Sequence, residues 1–302
     1  MDRRGFLKSV IGFGGGLLAA QLAIPDEAKC KIVSPVADLV ARQYLDGTLK
    51  SKISRLKTSR LELRIGETHC HSTFSDGSSS VKDILHRASE LGLDFLIITE
   101  HLIPDKFPLD NTLASIHERW RCVHEWSSRH YDPVQVYPAF EVSTLQGHLI
   151  IVLDEFYLQT RTFKDIARQF SRFNIRMSSM DQTALLARPF GGITIIPHPE
   201  RRRSYPFGAS IPFIKKHLTG LVDAIEDIST GHGYDENYSD ELGIASIGSS
   251  DDHFNLIIGT TVTAYDSTRH KDFISAVRAR ETQAINIDDS LRELIAAVRI
   301  VL

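Results

Sequence analysis

The chain has 302 residues, 42% of them hydrophobic and 24% charged, a globular balance that excludes a disordered, collagen-like or disulfide-dense protein. Its 35 Lys and Arg stand against 38 Asp and Glu, and a net charge of −3 argues against duplex nucleic acid, which is normally held by an excess of cationic contacts. Cys30, Cys70 and Cys122 are odd in number and widely spaced, so neither a disulfide framework nor a CxxC zinc site is indicated. No apolar run reaches the roughly 18 residues that span a bilayer.

Arg3-Arg4-Gly5-Phe6-Leu7-Lys8 opens the chain, and a mild apolar run from Val10 to Ile24 follows, broken by Gly14-Gly15-Gly16 and closed by Pro25. A basic head and a short apolar stretch are the pattern of an export signal. The paired arginines before Phe-Leu-Lys resemble the twin-arginine signal, with Asp2 where Ser or Thr is usual. Residues 1–28 therefore read as a signal peptide. The reading implies the twin-arginine export machinery as a partner and a mature protein in the periplasm or otherwise outside the cytoplasmic membrane. An ordinary N-terminal helix is the competing reading, and three consecutive glycines weaken it.

Residues 29–60 read as a leading helix over Val36 to Leu45 and a basic linker from Lys50 to Arg60; residues 61–302 read as the main domain. Leu61, Leu63 and Ile65 alternate as in a strand. Val81, Ile84, Leu85, Ala88 and Leu91 share one helical face, with Ser80 as N-cap and Gly92 as the stop. Phe95 to Ile98 is an apolar strand of the kind a parallel sheet buries on both faces. A long helix over Asn111 to Arg129 precedes strands at Val134 to Phe140 and Leu149 to Leu153. Short strands at Ile193 to Ile196, Ala224 to Ile228 and Ala245 to Gly248 alternate with helices near 163–173, 181–188, 209–218 and 270–280. The alternation predicts an α/β fold with a parallel sheet, and its length and strand number suggest a barrel.

The polar residues beside these strands are nearly all metal-ligand types. His69-Cys70-His71 follows the first strand, with Asp76 five residues on; Glu100-His101 closes the strand at 95–98; Glu141 closes 134–140; His148 opens the next. His198 follows Ile195-Ile196-Pro197, and Asp251-Asp252-His253 follows Ile247 to Ser250. Residues i and i+2 of a strand point the same way, so His69 and His71 can clasp one ion while Cys70 packs on the other side. In a β/α barrel all strand C-termini meet at one face, where distant ligands converge. The remaining histidines, His86, His117, His124, His130, His217, His232 and His270, lack this placement and read as structural or solvated, His232 least clearly so.

Glu67-Thr68-His69-Cys70-His71-Ser72-Thr73-Phe74-Ser75-Asp76-Gly77 resembles the opening motif of the PHP (polymerase and histidinol phosphatase) superfamily. Thr99-Glu100-His101, Pro197-His198-Pro199 and Gly248-Ser249-Ser250-Asp251-Asp252-His253 resemble its later motifs in family order; Glu141, Gly147-His148, Glu226 and the stretch Phe273 to Thr282 also match. Glu100 stands where Asp is commoner, and Asp252 where a small residue is usual. The resemblance implies a distorted (β/α)7 barrel with two or three divalent metals. Carried over, a first metal has His69, His71, Glu141 and Asp251. Glu141 bridges to a second, with His148 and His198, and a third has Asp76, His101 and His253. Six imidazoles and three carboxylates suit Zn, Mn or Fe ions. Glu100 and Asp252 are expected to orient ligand histidines.

Close-set metals lower the pKa of a bound water, so a metal-bound hydroxide attacks and no Ser, Cys or His nucleophile is needed. Glu141, Asp251 and His253 are the residues expected to matter most for turnover. Arg201-Arg202-Arg203 either binds the phosphate of a small phosphorylated substrate or forms a solvated cationic loop, and Arg188 is a weaker candidate. The implied activity is metal-dependent hydrolysis of a small phosphate ester. The alternatives are a metal-dependent amidohydrolase, a non-catalytic metal-binding protein and, least favoured by the charge, a nuclease. The sequence names neither the ester nor the oligomeric state.

Overall fold

The computed structural model describes residues 35–103, 106–127, 134–154, 178–201, 207–290 and 292–293. The signal segment, His130, Arg202, Arg203 and the helix expected near 163–173 lie outside the described residues.

Helix α1 (Pro35–Ser59) runs through the stretch read as a linker. Leu49 and Ile53, one turn apart, are fully buried, and Leu56 packs beside them. Lys52 and Lys57 reach Asp288 and Asp94 at 2.9 and 2.8 Å. The polar composition hid one apolar stripe, which is enough to dock a helix.

One sheet has five strands in the order β12-β11-β1-β2-β4. These are β1 (Leu63–Cys70), β2 (Phe95–Ile98), β4 (Gln135–Tyr137), β11 (Thr261–Asp266) and β12 (Thr282–Asn286). The other runs β10-β8-β7-β6-β5-β3, with β9 (Tyr234–Asp235) paired to β8. It contains β3 (Glu100–Leu102), β5 (Ala139–Thr144), β6 (Gly147–Val152), β7 (Ile193–Ile196), β8 (Ala224–Ser229) and β10 (Ala245–Ser249). Among the described residues the two sheets are joined by an isolated parallel bridge between Cys70 and Asp252.

The architecture is mixed α/β, but the sheets are not purely parallel. The expected strand 134–140 is split at Pro138, which has no N–H to give a ladder, so β4 joins one sheet and β5 the other. β5 and β6 then form a hairpin over Leu145-Gln146, and β6 is also antiparallel to β7. β11 and β12 pair antiparallel with each other and extend the first sheet beside β1.

Phe95, Ile97, Tyr137, Ile150, Ile195, Ile247 and Phe273 form a core shared by both sheets. Helices cover the outer faces. α1 and α2 (Val81–Leu91) pack on the first sheet; α3 (Leu109–Ser127) and α4 (Met180–Ala187) contribute Ile116, Met180 and Ala184 to the core over the second. α2 is capped as its sequence predicts. Ser80 Oγ accepts from Asp83 N at 3.2 Å, and Gly92 adopts φ 79°, the left-handed region glycine favours. Three short helices follow: α5 (Ile211–Phe213), which continues as a π turn to Leu218, α6 (Tyr238–Leu242) and α7 (Phe273–Ala279).

Candidate metal centre

Strand alternation turns His69 and His71 to one side of β1 and Cys70 to the other, where its Sγ lies 3.7 Å from Ile97 O in the core. The two Nε2 atoms are 3.2 Å apart. Each is 3.2 Å from Asp251 Oδ1 and 3.4 Å from Glu141 Oε2. Donor atoms bonded to one Zn-sized ion at about 2.0–2.2 Å and 90–109° stand about 2.8–3.6 Å from each other. The spacing on both sides of the histidine pair is of that size.

Glu141, third residue of β5 and fully buried, is the hub. Its Oε1 lies 2.7 Å from His148 Nδ1 and 3.0 Å from His198 Nε2, while Oε2 lies 3.0 Å from His101 Nδ1. Asp76 Oδ1 is 3.2 Å from His253 Nε2 and 3.5 Å from His101 Nε2. The side chains fall into four overlapping groups: His71, Asp76, His101 and His253; His69, His198 and Asp251; His69, His71 and Glu141; His101, Glu141 and His148. All nine residues singled out in the sequence lie in this cluster, and its groups share members. His148 groups with His101 and His198 with His69 and Asp251, although both meet Glu141 Oε1.

Buried His71 Nδ1, His101 Nδ1, His198 Nδ1 and Asp76 Oδ1 make no hydrogen bond among the described residues. For His101 and Asp76 this holds although carboxylate or imidazole atoms stand 3.0–3.5 Å away. Buried polar atoms are ordinarily paired, so these donor atoms fit a shared ion better than one another.

Burial, reinforced by His253 and His101, lowers His71 to about 4; burial likewise lowers His198 to about 3 against its contact with Glu141. Both imidazoles are thus neutral, the form that binds a metal. Burial acts the same way on His253, but Asp76 outweighs it and holds that ring near 10. Asp76 stays well below the usual carboxylate range despite burial, because His101 and His253 face it. Two candidate ligands also have strained backbones: Asp251 sits at φ 49° and His198 at φ 33°, uncommon outside glycine and typical of functional sites.

A supporting layer fixes the rings. Glu226 Oε1 is 2.7 Å from His69 Nδ1, so that nitrogen donates and Nε2 is turned toward the cluster. Glu226 also accepts from His198 N and Ser249 Oγ at 2.7 Å and from the Tyr234 hydroxyl at 3.3 Å. Glu67 Oε1 accepts the backbone N–H groups of Thr68, His69 and Ser250, and burial pushes its carboxyl up to about 7. Glu100 and Asp252 do not orient histidines as expected. Glu100 accepts from the hydroxyls of Ser72, Ser75 and Ser115, and Asp252 from the backbone N–H groups of Phe254, Ile257 and Ile258. They shape the loops that carry Asp76 and His253.

The sequence reading missed His232, whose Nε2 is 2.6 Å from Asp251 Oδ2. It lies beyond the end of β8 in a Thr-Gly-His-Gly turn, and the two residues between it and the strand obscure a strand-end signal. The other described histidines outside the cluster behave as read: His86 meets Glu90, His117 and His124 pack on Trp120, His217 on Phe213, and His270 bonds Glu281. Arg201 is half-buried with its guanidinium 4.1 Å above the Tyr234 ring. Arg188 instead donates to Gly220 O.

No family model and no curated protein matches the chain. Solved structures do. A two-domain protein from Bacteroides vulgatus containing a predicted PHP-like metal-dependent phosphoesterase aligns over 74% of this chain and 65% of its own length, with 18% identity and a TM-score of 0.53. A candidate metal-dependent phosphoesterase from Bifidobacterium adolescentis aligns over 63% and 88%, with 12% identity and a TM-score of 0.44. An amidohydrolase from Chromobacterium violaceum with bound sulfate and no metal aligns over 74% and 98%, with 16% identity and a TM-score of 0.41. At 18% identity the likeness to the Bacteroides vulgatus protein concerns the fold alone, a mixed α/β architecture.

Proposed function

We propose that the chain is a metal-dependent phosphoesterase of the PHP type that hydrolyses a small phosphate ester. The observation that carries the reading is the buried Glu141 carboxylate, which faces His148 and His198 with one oxygen and His69, His71 and His101 with the other. His69, His71, Asp76, His101, Glu141, His148, His198, Asp251 and His253 would hold two or three Zn, Mn or Fe ions. In this reading the two sheets are the halves of a distorted (β/α)7 barrel with the ions at one end. Ions so held supply Lewis acidity and an activated water for in-line attack on phosphorus.

The chain's own residues do the rest. Glu141 fixes the spacing of the groups on its two oxygens. Glu226 keeps His69 in the metal-binding tautomer, and Asp76 with His253 forms the end of the cluster that meets the phosphoryl oxygens. Arg201, held over the Tyr234 ring and three residues beyond His198, offers a guanidinium fork to a non-reacting phosphate oxygen.

The test is a chelator-stripped protein resupplied singly with Zn²⁺, Mn²⁺ or Fe²⁺ and given p-nitrophenyl phosphate. Release of p-nitrophenol that returns with at least one ion is the expected result; the same slow release with and without every ion overturns the metal-dependent reading.

We also propose that residues 1–28 direct the folded precursor through the twin-arginine route. Replacing Arg3 and Arg4 with Lys is expected to leave the protein in the cytoplasmic fraction, and unchanged export of that variant refutes the route.

A further inference from the structure

His232 is buried at 3% exposure and lies against Asp251, with its Nε2 2.6 Å from Oδ2. Asp251 therefore uses its two oxygens differently: Oδ1 faces the His69 and His71 Nε2 atoms at 3.2 Å, and Oδ2 faces His232. A carboxylate monodentate toward a cation has one oxygen left over, and a buried oxygen without a donor is costly.

The backbone is built to deliver this contact. Thr230 N bonds Ser249 O at 3.1 Å and Gly231 N bonds Ser250 O at 2.8 Å, so the turn after β8 is zipped to the two residues before Asp251. A Cβ on Gly231 would stand 2.4 Å from Ser250 O, so only glycine permits the approach. Gly233, at φ 69°, then turns the chain back into β9. The His232 ring is held from the sides by His198 and Phe207, at centroid distances of 4.8 and 5.6 Å. Two residues on, the Tyr234 hydroxyl reaches Glu226, the carboxylate that orients His69. The chain from Gly231 to Tyr234 thus braces two of the three carboxylates that touch His69, Asp251 and Glu226, while Glu141 is held from elsewhere.

We propose that His232 is a positioning residue of the metal centre. Its Nε2–H holds Asp251 Oδ2, so that Oδ1 stays turned toward the space shared by His69 and His71. Nothing in this assignment makes His232 a ligand: it falls in none of the four groups whose donor atoms stand close enough to share an ion. The proposal rests on the metal-centre reading, and it explains why a strained Asp251 backbone is tolerated: the side chain is fixed at both oxygens.

The test is Zn²⁺ titration of the metal-free full chain by calorimetry, with circular dichroism to verify folding. Losing a group that orients a ligand costs about 10–100-fold in metal affinity. His232→Ala is expected to weaken the tightest Zn²⁺ site by that factor. His232→Gln, whose amide nitrogen occupies the place of Nε2, is expected to stay within about threefold of the parent by the same reasoning. His232→Asn, one methylene shorter, should behave like the alanine variant. The Gln and Asn pair keeps the question open to decision if His232→Ala does not fold, since both fill the cavity with an amide. A parent protein that binds Zn²⁺ and an Asn variant that binds it equally well overturns the role of His232 alone. A parent that binds no Zn²⁺ overturns the metal-centre reading from which the role follows.

Discussion

Glu141→Ala is expected to lose more metal and more activity than any other single change. Its two oxygens face five imidazoles from β1, β3, β6 and the segments next to β1 and β7, so its removal strips a donor from two of the four side-chain groups at once. Changes to groups that only orient a ligand cost about 10–100-fold, and a shared ligand should exceed that range. It would also leave several buried rings without their carboxylate, a further penalty for the folded protein. Elemental analysis of Glu141→Ala beside His148→Ala, after identical dialysis, gives the comparison. Full occupancy in Glu141→Ala would remove the hub from the account.

His253→Ala should separate binding of metal at Glu141 from turnover. His253 meets Asp76 at 3.2 Å at the margin of the cluster, and its side chain is about 20% exposed, whereas the His69 and His71 side chains are fully buried. Electrostatic stabilisation of this kind is worth about 10²–10³ in rate for each lost donor. The expected result is kcat lowered by that factor with the metal of the His69, His71 and Glu141 group retained. A wild-type kcat would show that the Asp76 end takes no part in the reaction. Loss of all metal would show instead that the groups are not separable.

Much of the site was legible because strand burial and ligand chemistry leave opposite marks. Ile195 and Ile196 are fully apolar and buried, and His198 two residues later is not what a core strand needs; the same contrast marks His69, His101 and Asp251. Their convergence follows from strand ends meeting at one side of a sheet, whatever the distance in sequence. His232 carried no such mark, since a Thr-Gly-His-Gly turn looks like any loop until its hydrogen bonds to Ser249 and Ser250 are seen. Glu100 and Asp252 stand beside histidines in sequence, but Glu100 faces away from His101 on β3, and Asp252, in the loop after β10, turns to the amides of that loop. β11 was missed because Thr261 and Thr263, polar by composition, are fully buried: Thr263 Oγ1 bonds Gly248 O, and Thr261 Oγ1 pairs with Thr230 Oγ1. The antiparallel β5–β6 hairpin is hidden in the sequence because the apolar pattern runs on through Pro138.

Phosphate-ester hydrolysis, rather than cleavage of another bond, is the reaction proposed for this cluster. It is tested most directly by giving metal-reconstituted protein p-nitrophenyl phosphate and p-nitroacetanilide side by side, with Glu141→Ala as the background. Metal-dependent release of p-nitrophenol from the phosphate, abolished in Glu141→Ala, with no release of p-nitroaniline, is the expected result. Metal-dependent cleavage of the anilide with the phosphate untouched would contradict it.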